Sequence, residues 1–162
     1  VAEFTPAGRR TEFLQGLVFE KMSKSPKHVR LMGLLLDYLF SLKLPGIFLN
    51  AEQPLRLGDS EPEPDIALIR GKREDFAEEH PRTAELVIEI AHTSLEYDRA
   101  KATVYAAGGV PRYLIFNIND AVVEEYSRPD KETQAYAMQR HFRGQEALEI
   151  YSGASILPAD FF

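Results

Sequence analysis

Residues 84–91 read Ala84-Glu85-Leu86-Val87-Ile88-Glu89-Ile90-Ala91, and the apolar run that begins at Leu86 has one acid, Glu89, set inside its second half. Such a run is what a central strand with both faces covered requires. An ionised carboxylate in that position is costly unless a cation or several hydrogen-bond donors compensate it. Glu89 therefore either points to solvent from an edge strand or belongs to a site.

Downstream, Thr93 with Glu96 three positions later forms a capping-box pattern, and the spacing predicts a helix to about Ala107 with Gly108 as a left-handed stop. Asp98, Lys101 and Tyr105 fall at i, i+3 and i+7 on one face of that helix. A strand, a short turn and a return helix set the first helical turns beside the end of the strand, within reach of a lysine stem. For a lone helical lysine, a solvated position is the plain alternative. Tyr113 to Asn117, Ala121 to Ser127, Ala135 to Phe142 and Leu148 to Tyr151 then alternate with turn residues such as Asn119-Asp120 and Arg143-Gly144, the pattern of an antiparallel meander.

Upstream, strands are predicted at Ile47 to Gln53 and Asp65 to Arg70. Pro62 and Pro64 force extended backbone onto the residues before them, so Asp65 opens the second of these strands. If that strand neighbours the one carrying Glu89, both carboxylates reach one rim of the sheet. Paired oxygens of this kind suit Mg²⁺, which takes one or two carboxylates and keeps several waters. A turn aspartate is the alternative for Asp65. Ser25-Pro26 reads as an N-cap followed by proline at the first helical position, and Leu31, Leu34, Leu35, Tyr38, Leu39 and Leu42 recur at helical spacing until Pro45-Gly46. A strand pair around Phe13 to Met22, turning at Gln15-Gly16, precedes it.

The chain has 162 residues, room for a single domain over 1–162, and its 44% hydrophobic and 27% charged residues are those of an ordinary domain with a packed core. No repeat appears. The absence of cysteine excludes disulfides, a thiol nucleophile and any thiolate-bound metal. Leu31 to Leu36 is the longest apolar run, far short of the ~20 residues of a membrane span. Val1 to Arg10 lacks the apolar segment of a secretory signal, so a cytoplasmic location is expected.

A formal charge of −6 argues against broad adhesion to nucleic acid, yet Lys21, Lys24, Lys27, His28 and Arg30 form one basic run. Such a run is either a solvated face or a local groove for phosphates. No glycine-rich phosphate loop, helix-turn-helix, zinc finger or RNA-binding signature is present, so no nucleotide cofactor is expected and nothing reads base sequence in an obvious way.

Taken in order, Pro62-Glu63-Pro64-Asp65-Ile66, Glu85-Leu86-Val87-Ile88-Glu89-Ile90, Tyr97-Asp98-Arg99 with Lys101 and Tyr105, and Gly109-Val110 resemble the Uma family of putative restriction endonucleases, a branch of the PD-(D/E)xK nuclease superfamily. Glu20-Lys21-Met22, Ser25-Pro26-Lys27-His28 and Gln53-Pro54 extend the resemblance over nearly the whole chain. It implies an α/β fold with a restriction-endonuclease-like mixed sheet flanked by helices. It also implies a Mg²⁺- or Mn²⁺-dependent DNA endonuclease, with Asp65 and Glu89 as metal-binding carboxylates and the Ile90 carbonyl as a third ligand. In the usual pattern a lysine stands two places after the second acid. Here that place holds Ala91, and Lys101 resembles its substitute. Glu20 and Glu12 are both candidates for the assisting N-terminal acid of the superfamily.

Around these residues, His92, Asp98 and Tyr105 would form a surrounding layer, while Lys21, Lys24, Lys27 and Arg30, with His28 and Tyr97, would line a DNA groove. Members commonly carry Ser, Trp and Asp where this chain has His92, Leu114 and Asn117. A homodimer would match the symmetry of a duplex. Two rivals stand beside this reading. One is a catalytically idle protein of nuclease fold acting as a binding or regulatory partner, suggested by Ala91. The other is an acid-rich site for a small anionic ligand held through a cation.

Overall fold

The computed structural model describes residues 10–162. Its centre is a six-stranded mixed sheet in the order β3 (Ile47–Ala51), β4 (Ile66–Arg70), β5 (Leu86–Ala91), β6 (Arg112–Asn117), β7 (Val122–Asp130), β8 (Ala135–Arg143). Neighbours are antiparallel except β5 and β6, which run parallel because helix α2 (Leu95–Ala107) carries the chain back between them. A hairpin of β1 (Thr11–Leu14) and β2 (Leu17–Glu20) precedes helix α1 (Pro26–Ser41).

Alternation along β5 assigns the two layers. Leu86, Ile88 and Ile90 face one cluster with Leu31, Leu35 and Leu39 of α1, whereas Val87 and Ala91 face another with Val104 and Tyr105 of α2. Helices thus flank the sheet on both faces. Among the described residues no helix is long and apolar enough to cross a membrane.

Local signals account for most boundaries. Gln15 and Gly16 both take positive φ, the requirement of a two-residue hairpin turn that follows strand twist. The Ser25 hydroxyl accepts the His28 N–H at 3.2 Å, capping α1 with Pro26 behind it. The helix ends at Ser41, slightly ahead of Pro45-Gly46.

Three expectations are corrected. Gly108 ends α2 with φ −73°, not left-handed; the positive φ (71°) belongs to Gly109. A Cβ on Gly108 would lie 3.0–3.1 Å from Leu57, so close packing rather than helicity demands glycine there. The residue ahead of α2 is Ser94 rather than Thr93, and its hydroxyl donates to Asp98 instead of capping. The C-terminal meander stops at β8, since β9 (Leu148–Tyr151) leaves the sheet to pair with β10 (Ala154–Ile156), folding Leu148, Ile150 and Ile156 onto the α1 side.

Candidate active site

The β4–β5 ladder pairs Ile66 with Ile88, and continuing that register by one residue sets Asp65 opposite Glu89. Pro64 offers no N–H to extend it. The two acids bridge the end of the ladder instead: the Asp65 N–H donates to Glu89 Oε2 at 3.2 Å, and the Ile90 N–H donates to Asp65 Oδ2 at 2.8 Å. Both are buried. Glu89 is 3% exposed on a central strand, so the solvent-facing alternative fails.

The predicted face of α2 is the buried one. Asp98, Lys101 and Tyr105 all turn inward, and Lys101 is only 2% exposed. Its ammonium donates to Glu89 Oε1 and, at 2.8 Å, to Glu12 Oε1, while the Tyr97 and Tyr105 rings lie 5.6 and 5.7 Å from it. The Tyr105 hydroxyl also donates to Glu89 Oε1, at 2.9 Å. Burial works against the ammonium, but the charges of Glu89 and then Glu12 outweigh it and hold Lys101 protonated well above the ordinary lysine range. Burial, with the nearby charges of Asp65 and Glu12, pushes the Glu89 carboxyl up against the pull of Lys101. Asp98 is raised to about 8, first by burial and then by the charge of Glu89.

Of the two N-terminal acids, Glu12 is the one drawn into this cluster. It accepts from Lys101, from the Glu63 N–H at 2.7 Å and from the Tyr97 hydroxyl at 2.8 Å, so its carboxylate is committed to protein donors. Burial raises its carboxyl, but Lys101 and Lys21 together bring it below the usual value. Glu20 lines the adjoining cavity from the end of β2.

That cavity, of about 230 Å³, opens between the hairpin, the start of α1 and the start of α2. Lys21, Lys24, His28 and His92 line it with the acids. Lys27 and Arg30 do not: both are exposed, and Arg30 donates to the Phe161 carbonyl at 3.3 Å. His28 is buried, with Nε2 3.0 Å from Asp65 Oδ2, a position beside the acid rather than on an open groove. His92 Nδ1 lies 2.7 Å from Ser25 Oγ.

Sequence reasoning missed Glu52. It follows β3 with φ 55°, and its N–H donates to the Asp65 carbonyl at 3.1 Å. The Lys24 ammonium bridges Glu52 and Asp65, 3.2 Å from Asp65 Oδ1. Only the β3–β4 register, in which Ala51 pairs with Ile66, brings Glu52 there, and no local signal announces it.

Among the described residues no three His, Asp or Glu side chains form a ready metal cage. The donor set nonetheless fits a hard cation that needs few protein ligands. Asp65 Oδ1 already faces a positive charge, and Glu89 Oε2, across the end of the ladder, meets only the Asp65 N–H among the hydrogen bonds given for it. Burial opposes ionisation of Asp65, yet the bonds from His28 and Ile90 and the charge of Lys24 hold its carboxyl well below the usual range.

Residues 2–158 match the model of the Uma2 family, described as "putative restriction endonuclease". Among solved structures, the chain is similar to a putative nuclease belonging to DUF820 from Anabaena variabilis ATCC 29413, with a TM-score of 0.76 and 17% identity over 94% of this chain and 89% of that one. No curated protein matches.

Proposed function

This chain belongs to the Uma2 family of putative restriction endonucleases, and on that premise we propose that it is a Mg²⁺- or Mn²⁺-dependent DNA endonuclease that hydrolyses phosphodiester bonds at the Asp65–Glu89 rim. The observation that carries this reading is the buried Lys101 ammonium on Glu89, whose strand also gives Asp65 its Ile90 N–H at the mouth of a cavity.

Asp65 and Glu89 would hold the ion, with the Ile90 carbonyl as a further oxygen. When bound, the ion supplies polarisation of the phosphoryl oxygen and a water of lowered pKa. Lys101 keeps its proton, so it acts as a fixed positive donor toward the negative charge of the transition state, not as a base. Glu12, with all its contacts on protein donors, is a positioning residue: together with Tyr97 it sets where the ammonium sits. Lys21 and Lys24, at the mouth, offer contacts to the phosphate backbone. Cleaving both strands of a duplex is simplest for a two-fold pair, and β8 leaves one outer edge of the sheet open.

The test incubates the protein with supercoiled and single-stranded DNA and Mg²⁺ or Mn²⁺, beside Asp65→Asn and Glu89→Gln. Cleavage lost in both variants supports the proposal. Cleavage that survives both would indict a contaminant, and an intact substrate with every preparation would favour the idle binding partner.

A further inference from the structure

His28 holds one nitrogen against Asp65 and leaves the other with nothing. The residue is 8% exposed, and Nδ1 is buried without a hydrogen-bond partner. Leaving a buried polar atom unpaired costs on the order of 1–3 kcal/mol, so a ring kept only to fill space would be better replaced by an apolar one. The Asp65 carboxylate only accepts, so it is Nε2 that carries a proton here and donates it to Oδ2 at 3.0 Å. That oxygen already takes the Ile90 N–H at 2.8 Å. Oδ2 is thus held by two donors on fixed elements, one from the first turn of α1 and one from β5.

The first turn is itself anchored. Ser25 Oγ accepts the His28 N–H, and His92 Nδ1 lies against the same hydroxyl. The imidazole therefore approaches Asp65 from a rigid base, and the other carboxylate oxygen, Oδ1, is left facing the cavity, where the Lys24 ammonium lies 3.2 Å away.

We propose that His28 is a positioning residue for Asp65. Its Nε2–H and the Ile90 N–H saturate Oδ2 so that Oδ1 alone is presented to a divalent cation. This rests on the metal-dependent reading above and assigns to His28 an orienting role in place of a phosphate contact. Donors that orient a ligating carboxylate typically change metal affinity by about 10–100-fold when removed.

The test is binding of Mn²⁺ alone, without DNA, followed by electron paramagnetic resonance or calorimetry on the full chain, with thermal melts alongside. His28→Ala is expected to weaken Mn²⁺ about 10–100-fold. His28→Gln, whose amide nitrogen reaches about as far as Nε2, is expected to restore binding to within about threefold, while His28→Asn, one carbon shorter, is not. A packing role would rank the variants by size and stability instead of donor reach. If His28→Ala fails to fold, the Gln and Asn pair still decides. Equal Mn²⁺ affinity in wild type, Asn and Gln would overturn the assignment. Absence of Mn²⁺ binding by the wild type, or binding unchanged by Asp65→Asn, would instead remove the metal reading beneath it.

Discussion

Replacing Lys101 by Met keeps the length and apolar bulk of the stem and deletes only the charge. Glu89 and Glu12, whose side chains are 4% and 0% exposed, then lose the ammonium they share. The relief open to them is protonation. Carrying a proton at pH 7 on a carboxyl of ordinary value 4.5 costs about 3.4 kcal/mol, and two such groups set an upper bound near 7 kcal/mol. Lys21 lies 3.8 Å from Glu12, and the Tyr97 and Tyr105 hydroxyls still donate, so a loss of about 3–5 kcal/mol is expected, the usual range for breaking a buried pair from one side.

The sign with pH follows from the same groups. Glu89 already binds its proton more tightly folded than unfolded in the wild type; without Lys101 it does so more strongly and Glu12 joins it, so the variant's stability falls more steeply as pH rises above about 4.5. In the wild type, the lowered Glu12 carboxyl contributes stability that is present above its ordinary value and lost as pH falls. Both effects shrink the gap between the two proteins at low pH. Urea unfolding should show a deficit of about 3–5 kcal/mol at pH 7 that contracts to about 1–2 kcal/mol at pH 5, with DNA cleavage absent at both. Adding Glu12→Gln to Lys101→Met should recover part of the pH 7 loss. A deficit equal at pH 5 and pH 7 would refute the argument, because the loss would then come from packing and not from stranded carboxylates.

Two further outcomes follow. Asp98, raised to about 8 by burial and then by Glu89, holds a proton in the folded protein that it releases on unfolding, so wild-type stability declines as pH climbs from about 4 to 8. The advantage of Asp98→Asn over wild type should grow by roughly 2–4 kcal/mol between pH 5 and pH 8 in chemical melts, and a pH-independent difference would mean Asp98 is ionised throughout. Lys24→Ala removes the ammonium from Asp65 Oδ1 and should tighten Mn²⁺ several-fold, opposite in direction to His28→Ala, while lowering the salt slope of DNA retention by about one. Unchanged metal affinity would show that Lys24 does not compete for that oxygen.

What the sequence discloses and what it withholds separate along a physical line. Helix starts and hairpin turns are written in adjacent residues, and Ser25-Pro26 and Gln15-Gly16 mark them because caps and positive φ are local demands. Glu89 could be suspected from its neighbours because burial of a charge is a local anomaly. Choosing Glu12 over Glu20 required knowing how the hairpin docks on Glu63, Tyr97 and Lys101, all more than 50 residues away in sequence, since partner distances run to 51, 85 and 89. Glu52 needed a strand register, and His28 needed the placement of α1 over the β4 end. In α2 the buried face mixes Asp98 and Lys101 with Val104, Tyr105 and Ala106, so hydrophobic periodicity marks the side that matters only weakly.

The displaced lysine is the sharpest case. Glu89 and Ala91 share a face of β5, and that face is the one α2 covers. An ammonium rising from position 91 and one descending from position 101 would therefore serve the same carboxylate from opposite sides. The methyl of Ala91 leaves room for the helix, and the helix in turn encloses Lys101 between two tyrosine rings. Stability alone gives no reason for such an arrangement: burying a lysine with two glutamates is no better than filling the space with apolar side chains, and often worse. A charged cluster kept there at that cost is what the proposed chemistry would need, and on that ground it weighs for the catalytic reading over the idle one.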